Sequence, residues 1–211
     1  MRAPARTAAW GALAFALAGA ACSPPPRASV DGYRATVTTI VDGVPVTPFD
    51  IAVRGENRRR EAGPGAPVLI LLGKELKAVR LEPASKSFSE VPYPRATDEM
   101  LPGFPLAPFF DHRAEAATRG VTQYRRESDE IFAGMVCALW RFSDRPDDDA
   151  SPETVFWVAS SLENLTIRMD RETPKPGGTR ARTSVRLTNI RLGADPGLFE
   201  VPEGFAPAVP R

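Results

Sequence analysis

Cys22 is the residue whose surroundings point most clearly to a chemical modification. Two arginines precede the uncharged run of residues 7–21, and three small residues at 19–21 lead directly to the cysteine. A basic start followed by a short apolar stretch and small residues is typical of an export signal. The small residues fit the narrow cleft of a signal peptidase. We therefore expect residues 1–21 to be a lipoprotein signal peptide and Cys22 to carry the lipid anchor.

The signal departs in one respect from the usual bacterial pattern, because Gly19 occupies the position where leucine is common. Ordinary secretion with cleavage near Ala20 is therefore an alternative. An uncleaved membrane anchor is disfavoured, since the apolar run is too short to span a bilayer comfortably. Ser23 follows the cysteine, which in two-membrane bacteria resembles an outer-membrane sorting signal. We expect a proline-rich tether at 22–30 and a location at the periplasmic face of the outer membrane.

Residues for catalysis are scarce in this chain. His112 is the only histidine, and no strand-to-helix Gly-x-Ser-x-Gly elbow is present. Zinc sites need several Cys or His ligands, and the acidic run 147–149 lacks the ligand spacing of a calcium loop. Cys137 lies in an apolar run, where a thiol is more often a small core residue than a reactive group. We predict no catalytic residues, no metal and no cofactor, and therefore no enzyme. A hydrolase that uses His112 or a carboxylate pair is the least favoured alternative.

Charge and length limit the partners and the number of domains. Removing residues 1–21 takes away two of 27 basic residues and no acids, which leaves 25 basic and 26 acidic residues. A balance of this kind gives no long-range field for nucleic acid, so we predict no nucleic-acid partner. The remaining length suits one core. We expect one domain at 31–205, with residues 206–211 as a C-terminal tail.

Alternation of apolar and polar residues predicts about ten strands. Asp42-Gly43 separates two of them and is a strong turn signal. In the last strand the apolar phase switches, which predicts a bulge near Thr188-Asn189. The strands are predicted at 33–41, 49–53, 68–72, 77–81, 88–91, 121–131, 135–142, 154–160, 165–172 and 181–192.

One segment favours a helix, at about 108–119. Pro108 suits a first helical position, Arg119 lies in the last turn, and Gly120 can end the helix in a left-handed conformation. The preceding segment is rich in apolar residues and prolines, so we expect it to cover another part of the fold. A sheet of about ten strands must curl, close or pack on another layer. The pattern alone predicts a curved antiparallel sheet wrapped on a helix and an apolar loop.

Several segments together resemble the outer-membrane lipoprotein carrier (LolA/LolB-like) half-barrel superfamily and its lipoprotein relatives. They are a strand opening near Tyr33, the charged residues 58–61 ending the second strand, the hairpin EIFAGMVC at 130–137, and the ending LFEVPEGF at 198–205. The resemblance spans about residues 31–205. It implies a mainly β (α+β) fold, in which one or two helices cover the concave face of a strongly curved antiparallel half-barrel sheet. It does not settle which of Arg58, Arg59 and Arg60 has a functional counterpart.

The resemblance also implies a function, because the concave apolar face of the family accepts acyl chains. A chain anchored through Cys22 cannot diffuse as the soluble carriers do, and would act as a receptor, a sensor or a local lipid-handling protein. We predict an envelope protein that binds a lipid or lipoprotein acyl chains; the alternative is a sensor or scaffold that binds an envelope protein through the same sheet. Each predicted cavity residue can equally fill a core. They are Val37, Ile51, Val53, Leu69, Leu71, Val79, Leu81, Phe104, Phe109, Phe110, Leu139, Trp157, Ile167 and Met169.

Overall fold

A computed structural model of the chain describes residues 31–100, 104, 110–121, 123–143 and 151–208. These residues form thirteen strands and two α-helices. The strands are β1 (Gly32–Val41), β2 (Val44–Arg54), β3 (Asn57–Glu61), β4 (Val68–Leu72), β5 (Lys77–Glu82), β6 (Ser87–Val91), β7 (Gln123–Arg126), β8 (Glu130–Phe132), β9 (Met135–Ser143), β10 (Glu153–Ala159), β11 (Leu165–Pro174), β12 (Arg180–Leu192) and β13 (Ala206–Pro207).

All thirteen strands belong to one curved, unclosed sheet. Its order is β13-β6-β5-β4-β3-β2-β1-β12-β11-β10-β9-β7, and β8 pairs with β9 off this path. Every pairing is antiparallel except that of β13 with β6. The long strands β1 and β12 join the two halves of the chain at the middle of the sheet. The predicted mainly β, half-barrel class is confirmed.

The strand count is thirteen rather than about ten for three reasons. Residues 57–61 form a separate strand, β3, although the sequence analysis placed this charged run at the end of the second strand. The predicted strand 121–131 is divided into β7 and β8. Residues 206–207 form β13, so the sheet extends beyond the predicted boundary at 205.

The helices are α1 (Tyr93–Met100) and α2 (His112–Arg119). α2 begins four residues later than predicted, because Asp111 is extended and its carboxylate accepts the backbone N–H groups of residues 113 and 114. The predicted end is confirmed, since Gly120 is left-handed with φ 65°. The sequence analysis did not predict α1, which lies inside the proline-rich stretch.

Two local features of the sheet confirm the sequence analysis. Between the pairs Arg34–Arg191 and Thr36–Thr188, β12 contains one more residue than β1, and Asn189 has φ 52°. This irregularity is the predicted bulge. The predicted hairpin at 130–137 is also present, as the pairing of β8 with β9.

The register defines two faces of the sheet. On the face that carries α1 and α2, called the helix face, Val37 lies beside Phe49 and Leu187, and Phe156 lies beside Met169 and Trp140. The opposite face is called the back face. Its first half is covered by the C-terminal segment, because Phe199 packs with Ile70, Leu81 and Ala52.

Some predictions fall outside the described residues. They are the signal peptide at 1–21, the tether at 22–30 with Cys22, the helix start at Pro108, and Phe109. In the part of the chain that the structure describes, no helix is long and apolar enough to cross a bilayer.

Candidate ligand-binding site

The helix face is apolar across most of the width of the sheet. Because successive side chains in a strand alternate between faces, every second residue of β1, β2, β4, β11 and β12 points to this side. The buried apolar residues on it are Tyr33, Ala35, Val37, Phe49, Ile51, Val53, Leu69, Leu71, Met169, Val185 and Leu187. Together they form a continuous surface of the kind that excludes water from a hydrocarbon chain.

The cover over this surface comes from the helical segments. α1 lies over β3, β4 and β5, and its Ala96 and Met100 are 1% and 0% exposed. Phe104 is 4% exposed and belongs to the same core cluster. Further along, the Phe110 ring contacts those of Phe142 and Phe156, with centroids 6.2 and 5.4 Å away. The cover therefore consists of two short helices and a few large side chains.

Polar contacts attach α1 to the sheet mainly through Glu99. The Arg80 guanidinium donates to the Glu99 carboxylate at 2.5 Å, and Arg60 donates to the Glu99 backbone carbonyl. Arg60 also lies over the Phe49 ring at 4.1 Å. A small cavity of about 80 Å³ remains between α1 and the neighbouring strands. Because Arg80 and Glu99 are about one-third exposed, their ion pair adds little to stability.

The other helix is attached through Arg119. Its guanidinium pairs with Glu115, lies 4.9 Å from the Phe156 ring centroid and reaches the Met169 sulfur at 4.0 Å. On the outer side of the same cluster, the His112 ring stacks on Trp140 with centroids 4.4 Å apart. The only histidine of the chain is thus part of an aromatic stack in the cover.

A polar pair interrupts the apolar lining near one end. Arg58 is 7% exposed and Tyr33 is 1% exposed, and both lie on the helix face beside Val53. Burial raises the pKa of Tyr33 to about 12, although the nearby Arg58 charge acts in the opposite direction. Burial also lowers the pKa of Arg58. The sequence analysis noted the 58–60 run but could not say which arginine is buried.

The register brings many of the predicted cavity residues to one surface. Val37, Ile51, Val53, Leu69, Leu71 and Met169 lie on the helix face, Phe104 and Phe110 belong to the cover, and Ile167 is fully buried in the same cluster. Whether these residues bind a ligand stays a prediction. The described side chains fill the space between sheet and cover in this structure, since several of them are 0% exposed.

Four predicted inward residues lie on the opposite face. Val79 and Leu81 pack with Phe199 on the back face, because Ala78 and Arg80 are the residues of β5 that face α1. Leu139 and Trp157 are paired with each other on the back face, since their neighbours Trp140 and Phe156 face Phe110. The prediction that these four residues point inward was wrong. Both faces of β5, β9 and β10 are covered, so the pattern of apolar residues could not show which residues of each strand face the helices.

Described residues of the back face line a groove and a smaller recess. A groove of about 740 Å³ lies between the C-terminal segment and β3 to β5, with Ile70, Val79 and Phe199 among its lining residues and charges of both signs around them. A second recess of about 230 Å³ contains Trp157, whose indole N–H donates to Glu130 at 3.1 Å. The second recess also contains charged groups that pair with one another. Arg141 bridges Glu127 and Glu153, and Asp170 accepts from Arg168, Arg182 and Ser184.

The described residues offer little for catalysis. Among them, no three His, Cys, Asp or Glu side chains are grouped so that they can hold a metal ion. Cys137 is fully buried, as predicted for a core thiol, and burial raises its pKa. A buried thiol with a raised pKa is a poor nucleophile.

No protein-family model matches the chain, and no curated protein sequence matches it. Among solved structures, it is similar to the lipoprotein LppX of Mycobacterium tuberculosis at 10% identity and a TM-score of 0.42, over 77% of this chain and 88% of that chain. A LolA superfamily protein from Nitrosomonas europaea matches at 10% identity and a TM-score of 0.35, over 81% and 90%. A chain of the Pseudomonas aeruginosa MucA/MucB complex matches at 14% identity and a TM-score of 0.46, over 82% and 55%.

These matches include the lipoprotein-carrier superfamily that the sequence resembles. Identities of 10–14% and TM-scores below 0.5 assign no ligand or partner. The function has to be argued from the faces and side chains of this chain.

Proposed function

We propose that this protein is a lipid-anchored envelope protein that binds a hydrophobic ligand between the helix face and its cover. The ligand is a lipid or the acyl chains of another lipoprotein. One observation carries the proposal: an apolar face of an unclosed sheet is covered by two short helices and single aromatic side chains. A cover of this kind can move away from the sheet without breaking any strand pairing.

The energetics favour exchange of the cover for an acyl chain. Among the described residues of the cover, Met100 and Phe104 are large and buried, and exposing both costs about 3–6 kcal/mol. Burying a twelve-carbon chain contributes about 0.8 kcal/mol per methylene, or roughly 10 kcal/mol before ordering costs. An acyl chain can therefore replace the packing that it displaces.

The back-face groove is a weaker candidate for the same ligand. Its apolar residues Ile70, Val79 and Phe199 are accompanied by Arg54 and Lys74, among other charged residues. An acyl chain gains most from a long, dry contact, which a charged lining does not provide.

The anchor belongs to the proposal as well. Acyl chains on Cys22 would hold the domain at the membrane through the short tether at 22–30. Ser23 favours the outer membrane in a two-membrane host. The domain would then collect or present its ligand locally.

Lipid extraction from the purified protein tests the proposal directly. The mature chain with Cys22→Ser keeps the whole domain and removes the acyl acceptor, so any lipid found by mass spectrometry is bound without covalent attachment. We expect a stoichiometric amount of lipid, or saturable binding of added lipid to the stripped protein. If the purified protein carries no lipid and the stripped protein takes up none saturably, the proposal is overturned.

Tryptophan fluorescence locates the ligand. Trp10 lies in the predicted signal, so the mature chain has Trp140 on the helix face and Trp157 on the back face. Trp157→Phe leaves the reporter beside Phe110, and its emission should shift when dodecanoate binds. Trp140→Phe leaves the back-face reporter, which should not respond. The opposite result would place the ligand on the back face.

A second candidate function is binding of a protein partner. Ile131 and Val136 are 79% and 58% exposed and pair with each other at the β8–β9 hairpin. Two adjacent exposed apolar side chains at a hairpin are typical of a protein contact. Crosslinking in cells should then give a partner at fixed stoichiometry, and Ile131→Asp should abolish it without changing lipid content.

A further inference from the structure

Arg58 and Tyr33 form an unusual pair on the helix face. Tyr33 of β1 and Arg58 of β3 are both register partners of Val53 on β2. Their backbones are therefore about 10 Å apart, two strand spacings, and their long side chains lie on the same side of the sheet. Both are more than nine-tenths buried.

The hydrogen bonding of this pair is incomplete. Nη1 of Arg58 donates to the carbonyl oxygens of Gly55 and Asn57 at 2.6 and 2.8 Å, which fixes the guanidinium over the β2–β3 turn. Within the described part of the chain, the Arg58 Nε–H and the Tyr33 hydroxyl have no hydrogen-bond partner. Among the described residues, no carboxylate forms an ion pair with Arg58. By contrast, Arg59 on the same strand pairs with Glu61 at 3.2 Å.

The groups left unpaired are donors. Guanidinium N–H groups cannot accept a hydrogen bond. The Tyr33 hydroxyl stays protonated far above neutral pH, because burial raises its pKa. A buried cation without an anionic partner is unfavourable. An oxygen-bearing anion placed here would accept hydrogen bonds from both side chains. The charge of Glu56 acts on the pKa of Arg58, but no hydrogen bond or ion pair joins these two residues.

The surroundings define the rest of the ligand. Val53 lies between the two polar side chains, and Leu71 is the register partner of Arg58 on β4. Ile51 and Leu69 continue the apolar surface along the same strands. A ligand with its charge at Arg58 thus has an apolar path next to that charge.

We propose that Arg58 and Tyr33 bind the anionic head group, a carboxylate or a phosphate, of an amphiphile whose hydrocarbon chain lies on the helix face. This inference rests on the proposed function and narrows its ligand to anionic lipids or fatty acids. Arg58 supplies the charge and Nε–H, and Tyr33 supplies the second donor. A charge-assisted hydrogen bond of this kind gives both affinity and orientation.

Three amphiphiles of equal chain length test the assignment with the mature Cys22→Ser chain. Dodecanoate and dodecyl phosphate carry the anionic head group, and 1-dodecanol does not. Titration calorimetry should give dissociation constants for the two anions at least about tenfold below that of dodecanol. Inorganic phosphate, which has no hydrocarbon chain, distinguishes a site for a lipid head group from a site for a free anion. It should bind far more weakly than dodecyl phosphate.

Two variants connect the preference to the pair. Tyr33→Phe removes only an unpaired hydroxyl and should weaken dodecanoate binding several-fold, while Arg58→Gln should abolish the preference for anions. Both should leave dodecanol binding unchanged. Arg59→Gln is the matched control on the back face and should change none of the three constants. Circular dichroism checks folding; if Arg58→Gln does not fold, Tyr33→Phe decides.

The failures are distinguishable. Equal affinity for the anions and dodecanol, or unchanged preference in Tyr33→Phe and a folded Arg58→Gln, overturns the head-group site and leaves the hydrophobic binding proposal in place. Equal affinity for inorganic phosphate and dodecyl phosphate overturns the lipid assignment in favour of a free anion. Absence of binding by all three amphiphiles overturns the proposed function together with this inference.

Discussion

Replacing Tyr33 with phenylalanine should stabilise the protein. The Tyr33 hydroxyl is fully buried and has no hydrogen-bond partner among the residues that the structure describes, so folding removes it from water without compensation. An unsatisfied buried hydroxyl costs about 1–3 kcal/mol. The Tyr33→Phe variant keeps the ring and its packing, and its free energy of unfolding at pH 7 should rise by about 1 kcal/mol.

The gain should increase in alkali. Burial raises the pKa of Tyr33 from 10.0 to about 12 in the folded protein. Tyrosine in the unfolded chain therefore ionises first, and stability that is fully present below pH 10 is lost as the pH rises towards 12. A two-unit difference corresponds to about 2.7 kcal/mol in total, of which about 1.4 kcal/mol is lost by pH 11. Phenylalanine does not ionise, so the free energy of unfolding of the variant does not fall through this titration.

Urea unfolding at pH 7, 9, 10 and 11 gives the free energy of unfolding of Tyr33→Phe and of the parent, and the difference between the two values is the predicted quantity. Other titrating groups are common to both proteins and cancel in the difference. Tyr124→Phe removes a partly exposed hydroxyl and controls for the loss of a tyrosine. A variant less stable than its parent at pH 7 would mean that the Tyr33 hydroxyl has a partner. A difference that stays constant between pH 7 and 11 would refute the role of burial.

Three further substitutions test the packing. Asp170 is buried, and although burial opposes its charge, hydrogen bonds from arginine and serine hold the pKa of Asp170 below its ordinary 3.8. Asp170→Asn should lower the free energy of unfolding at pH 7 by about 2–4 kcal/mol. The difference from the parent should shrink below about pH 4 in urea unfolding, because a lowered pKa gives stability that is lost in acid. Met100→Ala should lower the free energy of unfolding by about 2–4 kcal/mol, measured in urea, because the Met100 side chain is 0% exposed. Leu76 is 69% exposed and serves as the control, so Leu76→Ala should lower the free energy of unfolding by less than about 0.5 kcal/mol. Gly73→Ala should lower the melting temperature, because its Cβ would lie 2.6 Å from the Glu56 carbonyl oxygen; an unchanged melting temperature would contradict this close approach.

Local periodicity predicted most strands, since the information is contained in neighbouring residues. β1 alternates in sequence as it does in burial, and the phase change near Asn189 marked the bulge. The β8–β9 hairpin was expected from the family resemblance of residues 130–137, and its turn lies at 133–134.

The elements that were missed depend on tertiary contacts. β3 has charged side chains on both faces, and Arg60 becomes compatible with a strand only because Phe49 and the end of α1 lie beside it. Pro94 lies at the start of α1, where proline is tolerated, but among so many prolines it was interpreted as a loop signal. The phase of β5 was wrong because Phe199, far along the chain, covers the back face.

Contacts between residues far apart in the sequence also explain how much of the candidate site could be predicted. The apolar residues of the helix face could be predicted in part, because β1 has a clear period, whereas β4 is apolar at every position and its sequence does not fix the phase. The pairing of Tyr33 with Arg58 could not, since three strands have to align before these residues meet.

The two borders of the sheet matter for how copies of the protein associate with one another. An open strand border invites another chain to add to it. At one border β13 occupies this position, because the Ala206 N–H donates to Lys86 and the Ala208 N–H donates to Phe88. At the other border β7 has only four residues, and its Arg125 and Arg126 pair with Glu127 and Asp129. A short border strand that carries charged side chains is a poor template for a second chain. Both borders thus disfavour the addition of a second chain, so copies of the protein can stay separate even at high local concentration.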